Sequence, residues 1–146
     1  MTTMPLKDQV CSLELAKKLK ELGVEQKSLF YWMRSLKPDN WQIVIEHRLG
    51  FLFENGADLA KHRKDEFEML SAFTVAELGE MLPAGIFSDK GAINSKWMGC
   101  IARFSKFKLD KQDRENIETP IMECKTEANA RAKMLIYLLE NKLITL

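Results

Sequence analysis

The stretch Thr126–Glu140, TEANARAKMLIYLLE, decides how this 146-residue chain must be assembled. Thr126 precedes an apolar helical pattern and is placed to cap it. Glu127 falls in the first turn, where a carboxylate is favourable against the positive end of the helix dipole. Ala128, Ala132, Leu135 and Leu139 recur on one stripe, widened by Ile136 and Leu138. The small side chains at 128, 130 and 132 allow close approach to a sheet. A helix of this kind is stable only against a facing surface, so strands are expected upstream.

Working back from it, Ile117–Cys124 reads as a strand, and Pro120, which has no N–H to give a ladder, places it at an edge. Trp97–Phe107 alternates, with Met98, Cys100, Ala102 and Phe104 on one parity. Trp41–Phe53 alternates most clearly: Trp41, Ile43, Ile45, Leu49, Phe51 and Phe53 share a parity broken only by His47. Its length implies a bend, a bulge at Gly50, or two strands. Thr74–Glu77 is a capping box that opens a helix from Val75 to about Leu82, stopped by Pro83. Ser12 caps a helix from Leu13, with Leu15, Leu19 and Leu22 at helical spacing and Gly23 at its end.

Lys27–Leu36 reads as a short helix or a strand. Asp58–Glu68 reads as a solvated loop or an exposed helix. Ile86–Lys96 reads as a loop, and Leu109–Asn116 as a polar turn. The order of elements predicts one α+β domain over residues 1–146. N-terminal, central and C-terminal helices pack on one face of a small antiparallel sheet.

Hydrophobic residues make up 46% and charged residues 29%, which suits a globular chain rather than a disordered one. The net charge is +1 but unevenly spread. Residues 38–95 are acidic, and residues 96–114 carry six basic and two acidic side chains. Cys11, Cys100 and Cys124 are odd in number and show no C-x-x-C spacing, which argues against a zinc knuckle or a disulfide framework. Reduced thiols and the lack of an apolar signal core or membrane-length run predict a cytoplasmic protein with no membrane partner.

No H-x-x-x-H pair, G-x-S-x-G elbow or phosphate-binding G-x-x-x-x-G-K-[ST] loop occurs. His47 reads as a semi-buried or bend residue. Cys124, just before the last helix, reads as core more readily than as a thiolate activated by the helix dipole. No catalytic residue, metal ligand or cofactor is therefore expected, and the chain is not read as an enzyme.

Three stretches carry a resemblance: CSLELAKKLKELGVEQKSLFYW at Cys11–Trp32, FTVAELGEMLP at Phe73–Pro83, and TEANARAKMLIYLLENKLI at Thr126–Ile144. Together they resemble the opening, middle and end of a group of small, uncharacterised proteins encoded by bacteriophages and prophages. The resemblance implies a phage or prophage origin, a bacterial host cytoplasm and a single domain. It supplies no activity and no functional residues.

The leading expectation is an accessory protein that acts by binding a host or phage protein. An edge strand also offers a route to a homodimer. The second reading is nucleic-acid binding. Lys96, Arg103, Lys106, Lys108, Lys111 and Arg114 are interleaved with Trp97, Phe104 and Phe107, a pattern in which cations neutralise phosphates and rings stack on bases. Leu15–Trp32 also resembles a helix-turn-helix of the excisionase or mercury-regulator type. Its Glu14-Leu15-Ala16, Gly23-Val24, Ser28-Leu29 and Trp32 fall in similar places, with a first helix about one turn too long. That reading requires the basic segments to converge on one face.

Overall fold

Helix α4, Glu127–Glu140, is buried around most of its circumference. Ala128, Ala132 and Leu135 form one buried stripe, and Ala130, Met134 and Leu138 form a second on another side. In the computed structural model, which describes residues 3–35, 40–45, 67–83, 86–90, 97–107, 114–118 and 122–146, α4 touches more elements than any single stripe would need. It packs against three strands of one sheet and against three other helices.

The remaining elements, in chain order, are α1 (Leu6–Gln9), α2 (Leu13–Glu21), β1 (Phe30–Ser35), β2 (Asn40–Ile45), β3 (Phe67–Ser71), α3 (Val75–Met81), β4 (Ile86–Lys90), β5 (Trp97–Phe107), β6 (Arg114–Glu118) and β7 (Met122–Cys124). The architecture is α+β, as expected, but the described strands form two antiparallel sheets rather than one. The first has the order β2-β1-β3. The second has the order β4-β5-β6, with β7 also paired to β5. Trp97 faces Cys124 across β5 and β7, and Arg103 faces Glu118 across β5 and β6, in one continuous register. β6 and β7 are therefore two stretches of one antiparallel line along β5. Helices join the sheets: α2 packs on β3, α4 packs on β4, β5 and β7, and α2 and α4 touch each other.

Local chemistry sets the helix ends. The Ser12 hydroxyl accepts from the Leu15 N–H, and the Thr126 hydroxyl accepts from the Asn129 N–H. The Asn129 side chain in turn accepts from the Ser12 N–H at 2.7 Å, tying the start of α4 to the start of α2. α2 ends in a Schellman motif: Val24 N–H donates to the Leu19 carbonyl and Gly23 N–H to Lys20, with Gly23 at φ 85°. α4 ends the same way, but with Lys142 at φ 54° in the left-handed position.

Alternation in the first sheet divides its faces. Trp32, Leu70 and Trp41 join the main core with residues of α2, α3 and α4. Tyr31 and Met69, with Met33 and Val44 packed on them, form a second cluster on the opposite face. The Trp32 indole donates to the Cys11 carbonyl at 3.0 Å, so its buried N–H is satisfied. Trp41 receives two cations, Lys17 from α2 at 5.2 Å and Arg34 from β1 at 5.3 Å. Arg34 also pairs with Glu68, its register neighbour on β3, at 2.7 Å.

Several local readings change. Of the two readings of Lys27–Leu36 the strand is the one that forms, as β1, so the second helix that a helix-turn-helix needs is not there. Phe67 and Glu68 belong to β3 rather than to a loop, because Glu68 is neutralised by Arg34 across the ladder. Ile86–Lys90 is β4 and not loop, since β5 supplies its partner. Arg114–Asn116 lies in β6 rather than in a turn. Of Trp41–Phe53, the part from Trp41 to Ile45 lies in β2; positions 46–53 fall outside the described residues, as do 58–66.

The two-sided burial of α4 yields a direct test. A one-faced helix would leave Ala130 outward, and leucine there would be harmless. In this fold Ala130→Leu should overpack the second stripe and destabilise by about 1–3 kcal/mol. Exposed Lys133→Ala should stay within about 0.5 kcal/mol. Urea unfolding followed by circular dichroism separates the two outcomes.

Candidate functional site

The corner that joins β3 to α3 is pinned from the N-terminal side. Cys11 N–H donates to the Phe73 carbonyl at 2.9 Å, and Val10 bridges Thr74. From this corner the Thr74 capping box starts α3, with its hydroxyl accepting from the Glu77 N–H and the Glu77 carboxylate accepting from the Thr74 N–H at 2.8 Å. The same carboxylate reaches outward to the loop between α2 and β1. It accepts from the Leu29 N–H and from the Ser28 hydroxyl, each at 2.9 Å. Three donors thus hold one carboxylate, two of them from a segment nearly fifty residues away in sequence.

The loop is fixed at other points too. The Gln26 amide donates to the Val24 carbonyl and accepts from the Ser71 N–H, both at 2.9 Å. The Tyr31 hydroxyl accepts from the Ser28 N–H at 3.1 Å. Between this loop and α3 lies a groove of about 380 Å³, lined by Glu25, Lys27, Ser28, Leu29, Phe73, Glu77, Glu80 and Met81. Phe73 is buried at its base, and Met81 is half-buried. Leu29 is 59% exposed. Glu25, Lys27 and Glu80 are exposed and have no ion-pair partner among the described residues.

Chemically the groove combines an apolar base and wall with carboxylates from both sides and a single ammonium. Glu77 is occupied as a strut by three donors. Of the groove residues, Ser28 and Leu29 stand out in the sequence only within the helix-turn-helix-like stretch, and the groove itself has no sequence signal. Thr74 and Glu77 were legible only as a helix cap, because the further bonds of Glu77 are tertiary.

The sequence-based nucleic-acid candidates fare differently. Arg103 and Lys106 lie on β5. The register sets Arg103 opposite Glu118 and Lys106 opposite Glu115. Lys96, Lys108 and Lys111 lie outside the described residues, as do His47 and His62. Two of the N-terminal lysines are engaged: Lys18 pairs with Glu140 at 2.9 Å, and Lys17 lies over Trp41.

Cys11 and Cys124 are both buried free thiols. Burial pushes the Cys11 thiol up to about 12, against weaker opposing hydrogen bonds. Among the described residues, no group of three His, Cys, Asp or Glu side chains could hold a metal, and no helix is long and apolar enough to cross a membrane. Compared with family models, characterised proteins and solved structures, the chain matches none.

Two predictions follow from this geometry. Glu77→Ala frees three donors at once and should cost about 2–3 kcal/mol in urea unfolding, whereas the exposed neighbour Glu80→Ala should change stability by less than about 0.5 kcal/mol. The raised Cys11 pKa means the folded chain retains a proton that the unfolded chain loses above pH 9. Stability should then fall as pH rises from 9 towards 12, by up to about 1.4 kcal/mol per pH unit. Cys11→Ala should remove that component of the alkaline slope; an unchanged slope would place it elsewhere.

Proposed function

We propose that this protein acts by binding another protein, using the groove between the α2–β1 loop and α3, rather than by catalysis. The observation that carries this reading is an exposed Leu29 beside a half-buried Met81 and a buried Phe73, all in one concave surface. An isolated exposed leucine is ordinary. One held at a groove wall by a backbone bond to a buttressed carboxylate is a contact waiting for a partner. The charged groups on both walls are free to choose that partner.

The resemblance of Cys11–Trp32, Phe73–Pro83 and Thr126–Ile144 to small phage-encoded proteins supports placing the chain as a phage or prophage accessory protein in a bacterial cytoplasm. Its partner would then be a host or phage protein. Two of those stretches build the groove, since Glu25–Leu29 falls in the first and Phe73–Met81 in the second. Nucleic acid is the poorer fit for this surface, because its carboxylates would repel phosphates.

A photo-crosslinking residue at position 29, expressed in host cells, tests the proposal. A discrete crosslinked protein is expected from position 29 and none from Lys133, exposed on α4. Equal crosslinking from both positions, or a purified chain whose salt-sensitive binding to DNA or RNA survives Leu29→Ser, would overturn it.

A further inference from the structure

We infer, resting on the groove as the binding site, that it recognises a partner segment presenting a single lysine or arginine beside an aliphatic or aromatic side chain. The charge inventory comes first. Of the three carboxylates that line the groove, Glu77 already accepts from the Thr74 and Leu29 N–H groups and the Ser28 hydroxyl, which hold it in place. Glu25 and Glu80 remain, one from the loop and one from the helix, each exposed and without a partner among the described residues. A cation entering the groove can meet a carboxylate from either wall. Such charge-assisted bonds strengthen as water is displaced.

The apolar surface fixes the second half of the motif. Leu29 and Met81 offer side-chain surface next to those carboxylates, with Phe73 beneath. Methionine adapts its shape to what it packs on. A volume of about 380 Å³ lies at the small end of ligand pockets, which start at roughly 300 Å³. It admits one or two side chains and not a folded element.

Lys27 supplies the discrimination. Its ammonium lines the same groove and is unpaired among the described residues. It opposes a run of consecutive cations, so a lone basic residue in an apolar context fits better than a polybasic tract. An acidic or phosphorylated segment is rejected by Glu25 and Glu80.

A random-peptide display library panned against the full chain tests this. Enriched peptides should carry one arginine or lysine next to Leu, Ile, Phe or Met. Their affinity, measured by fluorescence anisotropy, should fall about ten-fold or more in the Glu25→Gln, Glu80→Gln double variant. Its salt dependence should flatten, with thermal unfolding unchanged. Enrichment of acidic, uncharged or polybasic peptides that are lost on Leu29→Ser would overturn the inference and leave the groove as a binding site. Peptides indifferent to Leu29→Ser, or no enrichment at all, would count against both.

Discussion

Burial of α4 on two sides is the constraint from which the remaining structure follows. Alanines at 128, 130 and 132 keep the helix thin enough to be approached from both directions, and Met134, Leu135 and Leu138 fill the space further along. Each large side chain removed from water contributes about 1.5–3 kcal/mol. A helix buried on one stripe would collect only part of that. The two sheets are thereby held through the contact between α2 and α4 rather than through a common ladder. The bond from Ser12 N–H to Asn129 fixes where α2 starts relative to α4, and the core contacts of Leu19 and Val24 fix where it stops. The exit of α2 in turn sets the position of the loop that walls the groove.

What was legible in the sequence was what local chemistry determines. The caps at Ser12, Thr74 and Thr126 act within one turn, through residues three positions on, and all three operate as the residue types imply. The alternation over Trp97–Phe107 matches β5 at both ends. β1 was ambiguous for a physical reason: Tyr31 packs on one face of its sheet and Trp32 on the other, so the aromatic run has no period to read. β3 was hidden by Glu68, which looks solvated in a charged run but is compensated by an arginine from a different strand. β4 was hidden because nothing within Ile86–Lys90 announces that β5 will pair with it. Ala130 and Leu138 read from sequence as extensions of the first stripe, and only the fold shows that with Met134 they form a second buried side.

The groove was illegible for a related reason. Each of its residues has an adequate local explanation: Glu77 as a helix cap, Glu25 and Lys27 as loop charges, Met81 as the last turn of a short helix. Only the tertiary bonds from Glu77 to Ser28 and Leu29 bring the two segments together. A capping glutamate satisfies its own helix with one oxygen and has a second oxygen to spend. Here Oε1 accepts from the Leu29 N–H and the capping Oε2 also accepts from the Ser28 hydroxyl, so both oxygens select the conformation of a loop from elsewhere in the chain, which is a choice no spacing rule encodes.

This division of labour bears on how such a small surface can bind at all. Exposed charges a Debye length apart are largely screened at physiological salt, where that length is about 8 Å. If the groove binds as proposed, Glu25, Lys27 and Glu80 would govern which partner approaches, and how fast, more than how tightly it stays. Tightness has to come from Leu29, Met81 and Phe73, whose combined surface is modest. A modest apolar surface suffices only when little is lost in ordering it. The two bonds from Ser28 and Leu29 to Glu77, with those of Gln26 and Tyr31, hold the loop in place, so Leu29 is already presented and its backbone freedom already given up. The stability that folding commits to this corner is what allows a shallow groove to act as a specific one.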